Sequence, residues 1–194
     1  MGLFKRQDGP MSWDEAAESF DEEPDHGLRD PAVKAAWAAL LLPRLPEGRG
    51  RIADLGCGTG SVSALFAQAG HEVHGVDQSS RMLEIARTKC DADFRLGDAA
   101  DPPLGPGVYD VVFARHVLWT LPAEALERWV GLLKPGGRLL LVEGRWSTGA
   151  GITAQECREL VLRHRKHAEL CTLDDWALWG GPIADERYLL VSDE

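Results

Sequence analysis

The stretch Arg51-Ile52-Ala53-Asp54-Leu55-Gly56-Cys57-Gly58-Thr59-Gly60 decides the fold. A short apolar run meets an acid, passes through glycines at alternate positions, and opens into Ser61 to Ala69, where Val62, Leu65, Phe66 and Ala69 share one helical face. Read in order, this is a strand, a tight turn and a helix. Gly56, Gly58 and Gly60 can take positive φ and let a ligand approach bare backbone. The helix start offers unpaired N–H groups and the positive end of a dipole. A small anionic or zwitterionic ligand is therefore expected, with its carboxylate or phosphate at that helix start.

The spacing narrows the ligand. A dinucleotide fingerprint, G-x-G-x-x-G, needs a glycine where this chain has Ser61, and Asp54 so near the turn would repel a pyrophosphate. A ligand carrying both an ammonium and a carboxylate suits it better. Outward from the turn, strands are expected at 51–55, 72–76, 93–96, 109–114 and 138–143, with helices between them, the alternation of a layered α/β domain with a parallel sheet. Two short strands near 168–172 and 187–191 read as a final hairpin, one strand antiparallel. Before the turn, Ser12 and Glu15 form a capping-box pattern for a helix through Phe20, and Asp30-Pro31 starts a second helix, with an acidic loop, 21–29, between them.

Ligands of open α/β sheets bind beyond the carboxyl ends of the strands, where the strand order reverses. Acids stand at those ends: Asp77 after Val76, and Asp98 between Gly97 and Ala99. Single acids after strands are also common helix caps. In series, however, D-L-G-x-G-x-G, Val76-Asp77, Gly97-Asp98, Tyr109-Asp110-Val111-Val112 and Leu133-Lys134-Pro135-Gly136-Gly137-Arg138-Leu139 span residues 50 to 145 in a pattern that resembles the class I S-adenosylmethionine-dependent methyltransferases. The resemblance implies a Rossmann-like, doubly wound, mostly parallel seven-stranded sheet with an antiparallel C-terminal strand. It divides the chain into a flexible tail (1–12), an N-terminal helical cap (13–48) and a methyltransferase core (49–194). The implied cofactor is S-adenosylmethionine, with S-adenosylhomocysteine as product. Asp54 and the backbone at Gly56, Cys57 and Gly58 would hold its methionine moiety, Asp77 its ribose, and Asp98 with Ala99 its adenine. Gln78 and Arg115 join these cofactor contacts, although Arg115 also reads as an ordinary salt-bridge partner. Met82 would pack on the adenine face or sit in the core.

A sulfonium methyl is already activated, so such an enzyme mainly aligns the acceptor and excludes water. A base is needed only for an unionised acceptor. His116, in Ala114-Arg115-His116-Val117-Leu118-Trp119 at the end of the fourth strand, is the candidate base, since an unperturbed imidazole titrates near pH 6.5; a packing histidine is the alternative. Phe20 and His26 from the cap, with Trp119, Trp146 and Trp179 from later loops, are candidates for the acceptor pocket, the tryptophans reading equally as core. No N-P-P-Y motif of nucleobase or glutamine amino-methyltransferases is present. Cys57, Cys90, Cys157 and Cys171 lie too far apart for a C-x-x-C zinc or redox pair, and no metal is expected.

The bulk numbers agree with a small-molecule acceptor. The 194 residues suit one domain, and a net charge of -10 gives no basic field to gather nucleic acid or anionic lipid. No apolar run reaches the roughly 18 residues of a membrane span. The expectation is a cytoplasmic monomer or homodimer that transfers a methyl group to oxygen or nitrogen of a small molecule. The alternatives are a catalytically silent cofactor-binding accessory subunit and, disfavoured by Ser61 and Asp54, a nicotinamide oxidoreductase.

Overall fold

The computed structural model describes residues 5–6, 9–10 and 12–194. Near the start, β1 (Lys5–Arg6) pairs antiparallel with β2 (Gly9–Pro10), and the remainder of the tail expected over 1–12 lies, apart from Ser12, outside the described residues. Ser12 caps α1 (Trp13–Phe20) through the capping box with Glu15. The acidic stretch that follows is not all loop. Pro24 at a first helical position and Leu28 in the left-handed conformation enclose one turn of helix, α2 (Pro24–Gly27), and Asp30 then caps α3 (Pro31–Leu41).

The central sheet has seven strands in the order β5-β4-β3-β6-β7-β9-β8. From β3 (Arg51–Leu55) the sheet grows one way through β4 (Glu72–Asp77) and β5 (Asp93–Leu96), and the other way through β6 (Tyr109–Arg115) and β7 (Leu133–Arg145), all parallel. The C-terminal hairpin of β8 (Glu169–Thr172) and β9 (Glu186–Ser192) completes it: β9 inserts antiparallel against β7 and leaves β8 at the edge. Strand order thus reverses between β3 and β6, and the ends of those two strands open the crevice where ligands of such sheets bind.

Side chains alternate between two buried faces. Ile52, Val111, Phe113, Leu140, Val142 and Leu189 pack with Trp37 and Leu41 of α3 and with Val62, Leu65 and Phe66 of α4 (Ser61–Gln68). Ala53, Leu55, Val112, Ala114, Leu139, Leu141 and Leu190 turn the other way onto Leu126 and Trp129 of α6 (Ala125–Leu132) and Cys157 and Val161 of α7 (Ala154–Val161). The fifth strand starts earlier than its apolar run suggests. The Lys134-Pro135-Gly136-Gly137 segment is a bulge inside β7, where the register passes from Tyr109↔Leu133 to Val111↔Arg138 and Gly136 takes φ +75°. Proline and glycine are tolerated there because a bulge leaves ladder positions unpaired. Among the described residues, no helix is long and apolar enough to cross a membrane.

Candidate active site

A cavity lies over the carboxyl ends of β3, β4 and β6, roofed by α1 and α2, and its lining includes Trp13, Phe20, His26, Asp54, Gly56, Cys57, Gly58, Asp77, Gln78, Met82, Asp98, Ala99, Arg115, His116 and Thr120. Of the residues singled out from the sequence, all but Trp119, Trp146 and Trp179 reach it. Those three stand behind His116: Trp146 meets the imidazole edge-on at 5.2 Å and Trp179 lies parallel to it at 6.1 Å. Trp119 instead donates its indole N–H to the His116 carbonyl at 3.1 Å. The Arg187 guanidinium sits over the rings of Trp146 and Trp179 at 5.0 and 5.4 Å.

The glycine turn differs from its sequence reading in polarity. Its N–H groups are used internally: Gly56 and Cys57 donate to the Val76 carbonyl at 2.8 and 3.0 Å, and Gly58 donates to Asp77 Oδ2 at 2.8 Å. At the start of α4, moreover, the Lys89 ammonium lies 2.7 Å from Ser61 Oγ and 2.6 Å from the buried Asp21 carboxylate. A helix end beside a lysine that is already paired is not the open anion site expected. Asp54 is 2% exposed and accepts from Ser63 Oγ at 2.5 Å; burial pushes its carboxyl up to about 6, opposed by Ser63 and Arg115 and reinforced by Asp77. Asp77 is also raised, chiefly by burial, although the N–H groups of Ser79 and Gly58 bond its two oxygens. Two crowded carboxylates that hold their protons too tightly are stabilised as anions by a cationic ligand.

A β-carbon on Gly56 (φ +67°) would meet Val117 Cγ2 at 2.4 Å, so bare backbone is needed there, whereas at Gly58 the Phe20 ring 3.4 Å away leaves room and it is φ +54° that favours glycine. Further round, exposed Asp98 accepts from the Ala100 N–H at 2.8 Å, and the Ala99 carbonyl is fixed by the Trp129 indole at 2.6 Å. Met82, 1% exposed, belongs to a small cluster with Ala16 and Ala17 of α1 while also lining the cavity, so it serves both alternatives read for it.

Arg115 and His116 end β6. The Arg115 guanidinium donates to the Asp25 carbonyl of α2 and lies 5.2 Å over the Trp37 ring. His116 adopts φ +60°, rare for a residue with a β-carbon, with its N–H on the Val142 carbonyl at 2.8 Å. Burial, then the Arg115 charge, holds its imidazole well below the ordinary value. It is a neutral hydrogen-bonding group there and a weak proton acceptor, which sets it against the role of a strong base. His26, 3% exposed and stacked on Phe20 at 4.3 Å, is lowered as well, mainly by burial.

Two groups escaped the sequence reading. The Asp21-Lys89-Thr59 cluster ties the end of α1 to the glycine turn, with Thr59 Oγ1 donating to Asp21 at 2.5 Å. Lysine at a helix C-terminus, as at the end of α5 (Ser80–Lys89), is a routine dipole partner, so nothing marked it. Glu143, fully buried in β7, accepts from the N–H groups of Val117 and Leu118 at 3.0 and 2.7 Å and so pins the segment that follows His116. Its signal was visible, an acid closing the run Leu139-Leu140-Leu141-Val142.

Known proteins share this architecture. Residues 53–141 match the family model described as a methyltransferase domain. A trans-aconitate 2-methyltransferase of Methylobacterium radiotolerans is 46% identical over 110 residues, covering 53% of this chain and 41% of the relative. The enzyme of the same name from Delftia acidovorans is 39% identical over 176 residues, covering 87% of this chain and 61% of the relative. The chain thus spans about half the length of these curated relatives. Among solved structures, a Thermotoga maritima protein described as a possible histamine N-methyltransferase superposes with a TM-score of 0.71 at 18% identity, over 94% of this chain and 99% of that one, and shares the fold. With its seven-stranded sheet, its acids at successive strand ends and its matched domain, the chain belongs to the class I S-adenosylmethionine-dependent methyltransferases.

Proposed function

We propose that this protein binds S-adenosylmethionine in the cavity between β3 and β6 and methylates an oxygen or nitrogen atom of a small molecule. The observation that carries the reading is the convergence of Asp54, Asp77 and Asp98, from three successive strand ends, on one cavity whose far wall is Arg115 and His116. Asp54 and the carbonyl groups of the glycine turn have the polarity for an ammonium, and Arg115 that for a carboxylate. Asp77 is aimed to accept from two neighbouring hydroxyls, and Asp98 with the Ala99 backbone suits an adenine edge. The cap expected over 13–48 narrows to α1 and α2, since α3 packs on the sheet through Trp37 and Leu41 and belongs with the core of 49–194.

When bound, S-adenosylmethionine supplies an activated methyl group on a sulfonium. The chain's own work is positioning. Phe20 and His26 close the acceptor side from the cap, and neutral His116 accepts a hydrogen bond from the acceptor and orients it. The covered cavity limits the competition from water. An overall charge of -10 favours a small acceptor over nucleic acid.

The test is direct. S-adenosylhomocysteine at about 100 times its dissociation constant should stabilise the protein by about 2.7 kcal/mol, while NAD should not. Labelled methyl from S-adenosylmethionine should pass to low-molecular-mass acceptors such as small carboxylic acids, phenols and amines, and not to protein or RNA. Stabilisation by NAD alone ends the reading, and cofactor binding without transfer to any acceptor class favours a silent accessory subunit. Cofactor affinity should also fall as pH drops through about 6, because Asp54 then takes up a proton and loses its attraction for the ammonium. Asp54→Asn should bind more weakly and show a flat profile over the same range.

A further inference from the structure

We propose that Asp25, His26 and His116 form a binding site for a single divalent transition-metal ion of zinc-like chemistry in the acceptor half of this cavity. One potential ligand atom from each of the three lies within 4.8 Å of the others, and Asp25 Oδ2 stands 3.7 Å from His26 Nε2. Both histidines line the cavity. His26, 3% exposed, turns its Nε2 toward Asp25, and His116 Nε2 is buried without a hydrogen bond. Buried polar atoms in folded proteins are nearly always satisfied, so the orphaned His116 Nε2, close to the carboxylate that His26 Nε2 also faces, calls for a missing partner.

Both rings are held in place ahead of any ligand. Phe20 stacks on His26, and Trp146 and Trp179 brace His116 from two directions. The left-handed backbone of His116 turns its side chain off the end of β6, a strained conformation of the kind that persists where surrounding structure enforces it. Two imidazoles and one carboxylate make a donor set suited to Zn²⁺, Co²⁺ or Fe²⁺, with positions left for an acceptor oxygen or nitrogen. Metal–ligand distances of about 2.0–2.2 Å in a tetrahedral site set ligand atoms roughly 3.3–3.6 Å apart, so closure from a spread of up to 4.8 Å needs shifts of up to about 1.5 Å, within side-chain rotation. The Arg115 charge nearby is offset by Asp25, Asp54 and Asp21. Ligand spacing in the sequence gave no hint, since His116 comes from a different element 90 residues after His26.

The site deepens the proposed function, because a metal there would take the His116 lone pair and, in place of a direct hydrogen bond to that imidazole, would hold and polarise the acceptor, but its test does not depend on turnover. Chelator-treated full-length protein is titrated with Co²⁺, followed by calorimetry and by its visible absorption, and Zn²⁺ is then added in competition. One equivalent should bind, and His26→Ala and His116→Ala should each weaken it by more than about 100-fold, the upper range for loss of outer-shell partners. Both variants should still be stabilised by S-adenosylhomocysteine, which shows that they fold; should His26→Ala fail that check, His116→Ala decides alone. No saturable one-to-one binding, or binding unaffected by either substitution and so attributable to exposed histidines such as His164 and His167, overturns the proposal. Methyl transfer by metal-free protein at full rate would overturn the acceptor-polarising role and leave the proposed function standing. Metal binding without any transfer would do the reverse.

Discussion

Asp77→Ala should weaken S-adenosylhomocysteine binding by about 3 kcal/mol, roughly 150-fold in dissociation constant, as measured by isothermal titration. The carboxylate has two jobs. In the proposed function it accepts from both ribose hydroxyls, and hydrogen bonds to a charged acceptor are worth about 1.5 to 3 kcal/mol each. It also accepts from the Gly58 N–H at 2.8 Å and the Ser79 N–H at 2.9 Å, holding the glycine turn against the end of β4. Alanine removes both roles. Asp77→Asn separates them, because its amide oxygen can keep one backbone N–H while the NH₂ group cannot accept from a hydroxyl. It should recover part of the thermal stability lost in Asp77→Ala and little of the affinity. An unchanged dissociation constant in Asp77→Ala would remove the ribose assignment.

The parts of this site that were legible in the sequence are those fixed by local chemistry. An apolar run, an acid and alternate glycines specify strand, turn and helix within ten residues, and β3 spans Arg51–Leu55 as read. The capping box at Ser12/Glu15 sets a helix start for the same reason, needing only four residues. What stayed hidden depends on which distant segments touch. The turn's N–H groups face inward because Val76 and Asp77 of the neighbouring strand collect them, a fact of sheet register that sequence does not display. Lys89 meets Asp21 across 68 residues, and His26 meets His116 across 90. The tryptophans illustrate the same limit. Trp119, Trp146 and Trp179 read as candidates for the acceptor pocket, yet Trp119 is turned onto the His116 carbonyl and the Arg187 guanidinium lies over the rings of Trp146 and Trp179.

The second large effect concerns stability and comes from Glu143. Burial pushes its carboxyl up to about 8, with the N–H groups of the segment after His116 opposing the shift, and its Oε2 has no hydrogen-bond partner. In an unfolded chain the same group titrates near 4.3. Between these values the folded protein holds a proton that the unfolded chain has released, so stability declines as pH rises through this window. At most about 1.4 kcal/mol is lost per pH unit, in total about 3 to 5 kcal/mol by pH 8, above which this group adds no further change. Glu143→Gln keeps an oxygen for the N–H groups of Val117 and Leu118 and carries no charge. It should match the wild type in chemical denaturation near pH 5 and exceed it by several kcal/mol at pH 8.5. Glu143→Leu should fare worse at pH 5, since it leaves those two N–H groups unpaired at about 1 to 3 kcal/mol each. Parallel pH profiles for wild type and Glu143→Gln would show that Glu143 is ionised in the fold across the whole range.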